Sequence, residues 1–303
     1  MKNKGQLAAV MEITASMLIF GTIGIVRRYI PLPSSVIALV RGIVGSLFIL
    51  VIFAVKKQKL DIKAIKRNFA LLAFSGAFIG INWILLFEAY NYTTIPIATL
   101  CNYMSPVMVV LASPLAVREK LTPKKLICIA AATVGMLLSS GIIGGDGGGN
   151  DNIKGAFFAL GAAVLYASAV LMNKKLKDIG AYDRTVVQLG SAAVVMFPYV
   201  LLTEHIEFSE IEPKTLIFLG IAGIVHTGVA YVLYFGSMRK LSAQSAAIFS
   251  YIDPVTALIV APIFFRDEVL TPVAVVGAVL IIASAIICEL PENTHVHFRK
   301  VAK

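Results

Sequence analysis

Charged residues are scarce in this chain. Lys, Arg, Asp and Glu together make up only 15% of the 303 residues, whereas soluble proteins reach about a quarter. Hydrophobic residues make up 58%, and the mean hydropathy is +0.85. This composition excludes a soluble domain and predicts an integral membrane protein.

Cysteine and histidine are also rare. The three cysteines, Cys101, Cys128 and Cys288, fall within apolar stretches, where a thiol behaves as a small apolar side chain, so we predict no disulfide framework. The sequence has no His/Asp or His/Glu cluster with catalytic or metal-ligand spacing and no Walker-type loop. It therefore predicts no metal site and no cofactor, and it argues against an ATPase and an enzyme.

Long apolar stretches are what the sequence has in place of charge. A helix of about 20 residues rises about 30 Å, which is the thickness of the hydrocarbon core of a bilayer. The sequence therefore predicts an all-α, polytopic membrane protein with ten transmembrane helices. The predicted spans are approximately residues 7–27, 35–55, 69–89, 95–116, 124–142, 154–173, 185–203, 214–237, 243–265 and 271–289.

The net charge of +10 indicates topology and not a nucleic acid partner. Nucleic acid binding needs a basic patch on one surface, whereas most of the 27 Lys and Arg residues fall in alternate connecting segments. The positive-inside rule then predicts a multi-pass protein of the cell (inner) membrane with both termini in the cytoplasm. The lipid bilayer is one predicted partner, and the sequence carries no signal for an oligomeric state.

A pattern within residues 71 to 118 recurs about 148 positions later. Matched prolines, glycines, aromatics and charges in one order do not arise readily by chance in an apolar chain. After a slip of one residue the match resumes with Glu119 and Glu268. We interpret the chain as an internal duplication. The pairs before the slip are Leu71 and Leu219, Gly80 and Gly228, Leu85 and Leu233, Phe87 and Phe235, Ala98 and Ala246, Tyr103 and Tyr251, Pro106 and Pro254, Val107 and Val255, Pro114 and Pro262, and Arg118 and Arg266.

The duplication divides the chain into two repeats of five predicted helices. We predict the first repeat at 1–143, a Gly-rich linker at 144–152, the second repeat at 153–290 and a cytoplasmic tail at 291–303. Because five is an odd number, the second repeat crosses the membrane in the opposite sense to the first. Inverted repeats of this kind enclose a substrate site near the midplane and support alternating access.

Several short motifs accompany this arrangement. They are the aromatic-Gly step Phe20-Gly21, the segment Ala38-Leu39-Val40-Arg41, the paired prolines Pro106 and Pro254, and the Glu-x-Leu-Thr-Pro turns at Glu119 and Glu268. With the ten spans, they resemble the EamA family of the drug/metabolite transporter superfamily over nearly the whole chain. The resemblance implies a bacterial or archaeal inner-membrane carrier that exports small metabolites, often amino acids or related compounds. Phe20 departs from the family pattern, in which Trp often precedes the glycine.

Ionisable residues inside predicted spans are candidate functional residues, because a charged side chain is costly in a bilayer unless it faces protein or water. Asp253 directly precedes Pro254, and a proline loosens the helix around it. A carboxylate there can bind a substrate amine, carry a proton, or simply accept a hydrogen bond from a neighbouring helix. Its counterpart in the first repeat is Ser105, so the predicted site is asymmetric.

Two further ionisable residues carry predictions. His226 is the side chain best suited to titrate at cellular pH, and we predict a proton-coupling role for His226 and Asp253, with ordinary packing as the alternative for the histidine. The planar guanidinium of Arg41 suits a carboxylate, either of the substrate or of a protein partner. We predict a structural ion pair between Arg41 and Glu88.

Aromatic residues occupy matched positions in the two repeats. A ring that faces a cavity provides an apolar wall and a cation–π contact for an amine, whereas ordinary helix packing is the alternative. The predicted substrate-binding residues are Trp83, Asn102, Tyr103, Tyr251 and Asp253.

These features together predict a secondary transporter that exports a small metabolite, such as an amino acid or a related amine, by alternating access, with proton antiport as the coupling. A channel-like pore is the alternative, although selective pores usually carry rings of repeated carbonyls or charges. A membrane-embedded enzyme would need a clustered acid-base or metal constellation near one interface, which the sequence lacks.

Overall fold

The computed structural model describes residues 2–93, 95–139, 152–204, 211–265 and 271–290, and all the regular secondary structure within these ranges is helical. We label the ten membrane passages α1 to α10 in chain order. They are α1 (Lys2–Gly21 and Ile23–Arg28), α2 (Ser34–Val55), α3 (Ile62–Tyr90), α4 (Ile95–Asn102 and Ser105–Val117), α5 (Pro123–Ser139), α6 (Asn152–Lys175), α7 (Ala181–Thr203), α8 (Pro213–Gly223, Ile224–Val229 and Ala230–Ser237), α9 (Ala243–Phe249 and Ile252–Phe264) and α10 (Pro272–Glu289).

Nine of these passages in the described part of the chain are long and apolar enough to cross a membrane. The tenth, α5, has 17 residues, which corresponds to about 25 Å of helix, and it packs along α10. The Gln6 side chain near the start of α1 donates a hydrogen bond of 3.1 Å to Glu289 at the end of α10. The start of α1 and the end of α10 therefore lie at the same face of the bundle, as an even number of passages requires. The predicted all-α fold of ten helices is confirmed.

The most extensive helix contacts join the two repeats and occur in matched pairs. α3 packs against α6 and α7, and its counterpart α8 packs against α1 and α2. Likewise α4 contacts α6, whereas α9 contacts α1. α2 packs on its counterpart α7, and α5 packs on α10. The two five-helix repeats therefore interlock in opposite orientations, as the odd number of helices per repeat predicts.

Glycines allow two of these equivalent interfaces to form with backbone against backbone. A Cβ atom at Gly76 in α3 would lie 2.4 Å from the carbonyl oxygen of Gln188 in α7. At the related interface, a Cβ atom at Gly45 in α2 would lie 3.1 Å from the carbonyl oxygen of Gly223 in α8. Small residues at such crossings let membrane helices approach closely, so larger side chains here would separate the repeats.

Four passages are interrupted within their length. α1 breaks at Thr22, between its segments Lys2–Gly21 and Ile23–Arg28. The second segments of α4 and α9 carry Pro106 and Pro254 in their first turns, where a missing N–H costs no intrahelical hydrogen bond. In α8 the interruption is the π-helical turn Ile224–Val229. There the Thr227 hydroxyl donates a hydrogen bond of 2.9 Å to the carbonyl of Ala222, five residues earlier. Interruptions of this kind expose backbone groups that a regular helix would use internally.

The two segments of α9 differ in how deeply they are buried. At the end that carries the amino terminus, the α9 segment Ala243–Phe249 is buried throughout. The Glu119 carboxylate accepts hydrogen bonds of 2.7 and 3.2 Å from the first backbone N–H groups of this segment. Of the second α9 segment, Ile252–Phe264, only Val255 and Thr256 are buried. In α9 the segment at the amino-terminal end is therefore more deeply buried than the segment that follows it.

Some predicted features lie outside the described residues. They are the linker at 144–152, except for Asn152 with which α6 begins, the tail at 291–303, and residues 268–270 of the second Glu-x-Leu-Thr-Pro turn, whose Thr271 and Pro272 are described.

Candidate substrate cavity

A cavity of about 200 Å³ lies between the two repeats, lined by residues from α1 to α4 and from α6, α8 and α9. Inverted repeats are expected to hold a solute in this position. The lining residues are Met17, Phe20, Ile23, Arg41, Asn82, Trp83, Leu86, Asn102, Tyr103, Ser105, Pro106, Tyr166, Tyr231, Ser250 and Asp253.

Much of this lining comes from equivalent positions in the two repeats. The cavity therefore lies across the approximate twofold relation between them, and each repeat contributes to the same wall. The equivalent pairs that line it are Phe20 and Tyr166, Trp83 and Tyr231, Asn102 and Ser250, and Ser105 and Asp253.

One side of the cavity is an aromatic wall. The ring of Tyr231 contacts the ring of Phe20 edge to face, with centroids 5.1 Å apart, and that of Trp83 at 6.4 Å. Tyr231 also packs on Phe235 at 5.3 Å. The wall can hold the apolar part of a solute or the positive charge of an amine.

A carboxylate belongs to another part of the lining. The Tyr103 hydroxyl donates a hydrogen bond of 3.2 Å to Oδ2 of Asp253. The Tyr251 hydroxyl in turn donates one of 2.9 Å to the backbone carbonyl of Tyr103. A Cβ atom at Gly21 would lie 2.5 Å from the backbone oxygen of Asp253. Two tyrosines and a close α1–α9 crossing therefore fix the position of this acid.

The cavity also holds a guanidinium. Nε of Arg41 in α2 donates a hydrogen bond of 2.9 Å to the Thr227 hydroxyl, and Nη2 donates one of 3.4 Å to the backbone carbonyl of His226. Both acceptors belong to the π-helical turn of α8. The guanidinium carbon lies 6.0 Å from the centre of the Trp83 ring. The interruption of α8 thus anchors Arg41 at the wall of the cavity.

The two opposite charges in the cavity have neutral partners. Asp253 accepts from Tyr103, Arg41 donates to Thr227 and a backbone carbonyl, and no salt bridge joins Asp253 to Arg41 in the described part of the chain. Each charge is therefore available to a solute with the complementary group.

The predicted substrate-binding residues fall into two sets. Trp83, Asn102, Tyr103 and Asp253 line the cavity. Tyr251 does not, because it is fully buried behind Tyr103. Its role in the structure is to support a lining residue.

The predicted proton-coupling pair is not in direct contact. His226 is buried in the π-helical turn, and its Nε2 lies 3.0 Å from the Thr22 hydroxyl in α1. It is absent from the cavity lining, and no hydrogen bond joins it to Asp253 among the described residues. Only Asp253 of this pair can meet a solute in this state.

The structure does not form the ion pair predicted between Arg41 and Glu88. Glu88 accepts a hydrogen bond of 2.5 Å from the Tyr199 hydroxyl and one of 3.3 Å from Asn91. Arg41 is instead held by α8, because the π-helical turn offers it a free carbonyl and a hydroxyl. In this structure the two side chains therefore have separate partners.

Two further residues of the lining, Tyr166 and Asn82, lie outside the predicted substrate-binding set. Tyr166 lines the cavity and is the equivalent of Phe20 in the second repeat. The repeat could therefore have identified it. Asn82 donates hydrogen bonds of 3.0 Å to Asn102 and 2.8 Å to the Ala162 carbonyl. It therefore orients a predicted binding residue.

Comparison with known proteins matches both halves of the chain to one family. The EamA-like transporter family matches residues 7–141 and again residues 153–289. An uncharacterized transporter of Bacillus subtilis, YxxF, is 29% identical over 276 residues, which cover 90% of this chain and 88% of that protein. The riboflavin transporter ImpX of Fusobacterium nucleatum is 23% identical and is covered over 98% of its length. The duplication seen in the sequence is therefore a duplication of one family unit.

A solved structure shares the fold. A protein crystal structure that is 15% identical in sequence aligns with a TM-score of 0.81 and covers 93% of this chain and 96% of its own. At this identity the likeness concerns the fold alone. With two family matches that together span most of the sequence, this multi-pass membrane protein belongs to the EamA-like transporter family.

Proposed function

We propose that this transporter exports a small metabolite, such as an amino acid or a related amine, and exchanges it for protons. The observation that carries the proposal is the presence of Asp253 and Arg41 in one cavity between the repeats. The proposal places the protein in the inner membrane with both termini in the cytoplasm, following the distribution of Lys and Arg.

In this proposal the two charges bind the two ends of a zwitterion. Asp253 accepts hydrogen bonds from the substrate ammonium group, and Arg41 donates to its carboxylate through the guanidinium N–H groups that α8 does not use. Trp83 and Tyr231 enclose the remainder of the solute. A cavity of about 200 Å³ suits a small metabolite better than a peptide or a lipid.

Proton exchange follows from the chemistry of one carboxylate. Asp253 can hold either a proton or a substrate ammonium group, because protonation removes the negative charge that attracts the amine. If the proton enters from outside, it displaces the substrate outward, and deprotonation on the cytoplasmic side restores the site. We assign His226 a supporting part, in which its charge adjusts the contact between α1 and α8 at Thr22.

Alternating access is the mechanical part of the proposal. We take the hydrogen bonds from the start of α9 to Glu119 as the contacts that close the amino-terminal end in this state. Inverted repeats can exchange conformations, so the second state would close the opposite end and release the contacts at this one.

The test is a transport screen in proteoliposomes that contain the purified full chain. Labelled amino acids, their decarboxylated amines and riboflavin, included because of the relative that bears its name, are supplied with and without a pH gradient. The proposal predicts saturable flux of an amino acid or amine, stimulated by the gradient. Flux that does not saturate and ignores the gradient would favour the channel-like alternative.

A matched pair of variants shows whether the cavity carries the flux. Asp253→Asn removes the cavity carboxylate, and Glu88→Gln removes a carboxylate outside the cavity lining. The proposal predicts loss of gradient-driven flux only in Asp253→Asn. Equal activity in both variants would exclude Asp253 from the mechanism.

A further inference from the structure

A second polar cavity, of about 270 Å³, lies at the amino-terminal end of the bundle. We call it the basic pocket and define it by the cations Lys174, Arg184 and Arg239 together with Asn173. Its wall comes from the end of α6, the first turn of α7 and the segments that connect α6 to α7 and α8 to α9. None of these four residues lines the substrate cavity.

Part of the donor capacity of these cations is used within the protein. Nζ of Lys174 donates hydrogen bonds of 2.9 Å and 2.6 Å to the carbonyls of Met238 and Leu241. Nη1 of Arg184 donates one of 3.3 Å to the carbonyl of Phe235. Cations stabilise the carbonyl groups at the end of a helix. The hydrogen bond to the end of α8 therefore uses Nη1 of the Arg184 guanidinium.

The remaining polar atoms of the pocket point to a ligand. Arg184 is only 3% exposed, yet its Nε atom is buried and has no hydrogen-bond partner in the described part of the chain. The same holds for Oδ1 of Asn173, a residue 2% exposed. Buried polar groups are costly unless they are paired, above all on a charged side chain. Two residues that line the pocket thus each carry a buried polar atom, one a charged donor and one a neutral acceptor, that no described protein group uses.

The acid in the lining does not neutralise the pocket. The side chain of Asp178 is 87% exposed and forms a salt bridge of 3.4 Å with Arg67, outside the pocket. Asp183, one residue before Arg184, accepts a hydrogen bond of 3.1 Å from the backbone N–H of Asp61 and is not part of the lining. The wall therefore carries an excess of positive charge.

We propose that the basic pocket binds a phosphate group, from the headgroup of an anionic phospholipid or from a free phosphate. The Nε edge of a guanidinium matches the geometry of a phosphate oxygen. Oδ1 of Asn173 accepts from a hydroxyl, which both a monoprotonated phosphate and a glycerol headgroup provide. Basic pockets among the ends of membrane helices are suited to such headgroups.

The experiment measures the thermal unfolding midpoint of the full chain in nanodiscs. One arm titrates inorganic phosphate into phosphatidylcholine nanodiscs, with chloride at equal ionic strength as reference. The other arm replaces part of the phosphatidylcholine by phosphatidylglycerol. A rise in the unfolding midpoint with inorganic phosphate would identify free phosphate as the ligand. A rise only with phosphatidylglycerol would identify the lipid headgroup as the ligand. No rise in either arm overturns the proposal.

Variants separate the pocket from the general attraction of a basic surface. Arg184→Gln removes the buried fork, and Arg239→Gln removes an exposed cation of the same pocket that is expected to be neutral for folding. Lys66→Gln removes an exposed cation outside the lining and serves as the control. We expect ligand affinity to fall roughly tenfold in each pocket variant and to stay unchanged in the control. Equal stabilisation of all three variants and the wild type would overturn the proposal.

Discussion

The two repeats share a backbone arrangement but differ in the residues that they place at the cavity. Where the second repeat has Asp253, the first has Ser105, and both line the cavity. Where the first repeat has Arg41, the second has Gln188, whose amide donates to the Ser75 hydroxyl and lies outside the lining. The matched aromatic and small polar residues give the cavity its shape. The unmatched charges give it polarity, so the shared positions supply the architecture and the differing positions supply the charged groups.

The third helices of the repeats show the same difference in their backbones. α3 is one continuous helix, Ile62–Tyr90, whereas α8 contains a π-helical turn at Ile224–Val229. The carbonyl that this turn makes available accepts from Arg41. His226 lies in the turn, and its counterpart in α3 is Phe78. The irregular part of α8 therefore carries the titratable His226 and contacts Arg41 of α2.

The largest expected effect comes from removing the negative charge that the first repeat lacks. Asp253→Asn should lower substrate affinity by about 100-fold, because a charge-assisted contact to an ammonium group is lost in a site of low polarity. Ser105→Asn, at the equivalent position, should have a much smaller effect. Binding of the substrate found in the transport screen, measured by scintillation proximity, compares the two, and equal losses would contradict the asymmetry.

Replacing the cavity cation by its repeat counterpart should have the next largest effect. Arg41→Gln removes the group proposed to hold a carboxylate and should weaken amino acid transport by about tenfold. The corresponding decarboxylated amine should be transported as before, and it serves as the internal control for folding. The measured quantity is the KM for each solute. An equal change in KM for the amino acid and for the amine would show that Arg41 has only a structural role.

The close crossings of the repeats should be sensitive to a single methyl group. Gly76→Ala should destabilise the fold by about 1–3 kcal/mol, because the added carbon would overlap the α7 backbone. Gly190→Ala is the control, since a Cβ atom at Gly190 meets nothing within 4 Å. The thermal unfolding midpoint in detergent measures both, and tolerance of Gly76→Ala would show that the crossing can relax.

The smallest expected effect is on pH dependence. His226→Phe restores the residue of the first repeat and removes the group that contacts Thr22. Transport should persist with a shifted pH profile, because Asp253 remains as the proton carrier. The profile of initial rates between pH 5 and 8 tests this, and a superimposable profile would remove His226 from the coupling.

The sequence was sufficient for the architecture and for part of the site. The lengths of the apolar stretches predicted the helices, and the internal repeat predicted their inverted relation. The cost of a charge in a bilayer indicated Asp253 as a candidate site residue. The partner of Arg41 was out of reach, because it depends on a π-helical turn in α8 that regular periodicity does not encode. Tyr251 was assigned to the cavity because the repeat matches positions along the chain and not the side of the helix that faces the solute.

The central claim is that one site between the repeats is exposed alternately to the two faces of the membrane. Counterflow tests it most directly, in proteoliposomes loaded with unlabelled substrate and supplied with a trace of labelled substrate outside. The account predicts transient accumulation of label above its equilibrium level, which Asp253→Asn reduces. A simple approach to equilibrium that unlabelled substrate does not alter would contradict the claim and indicate a continuous pore.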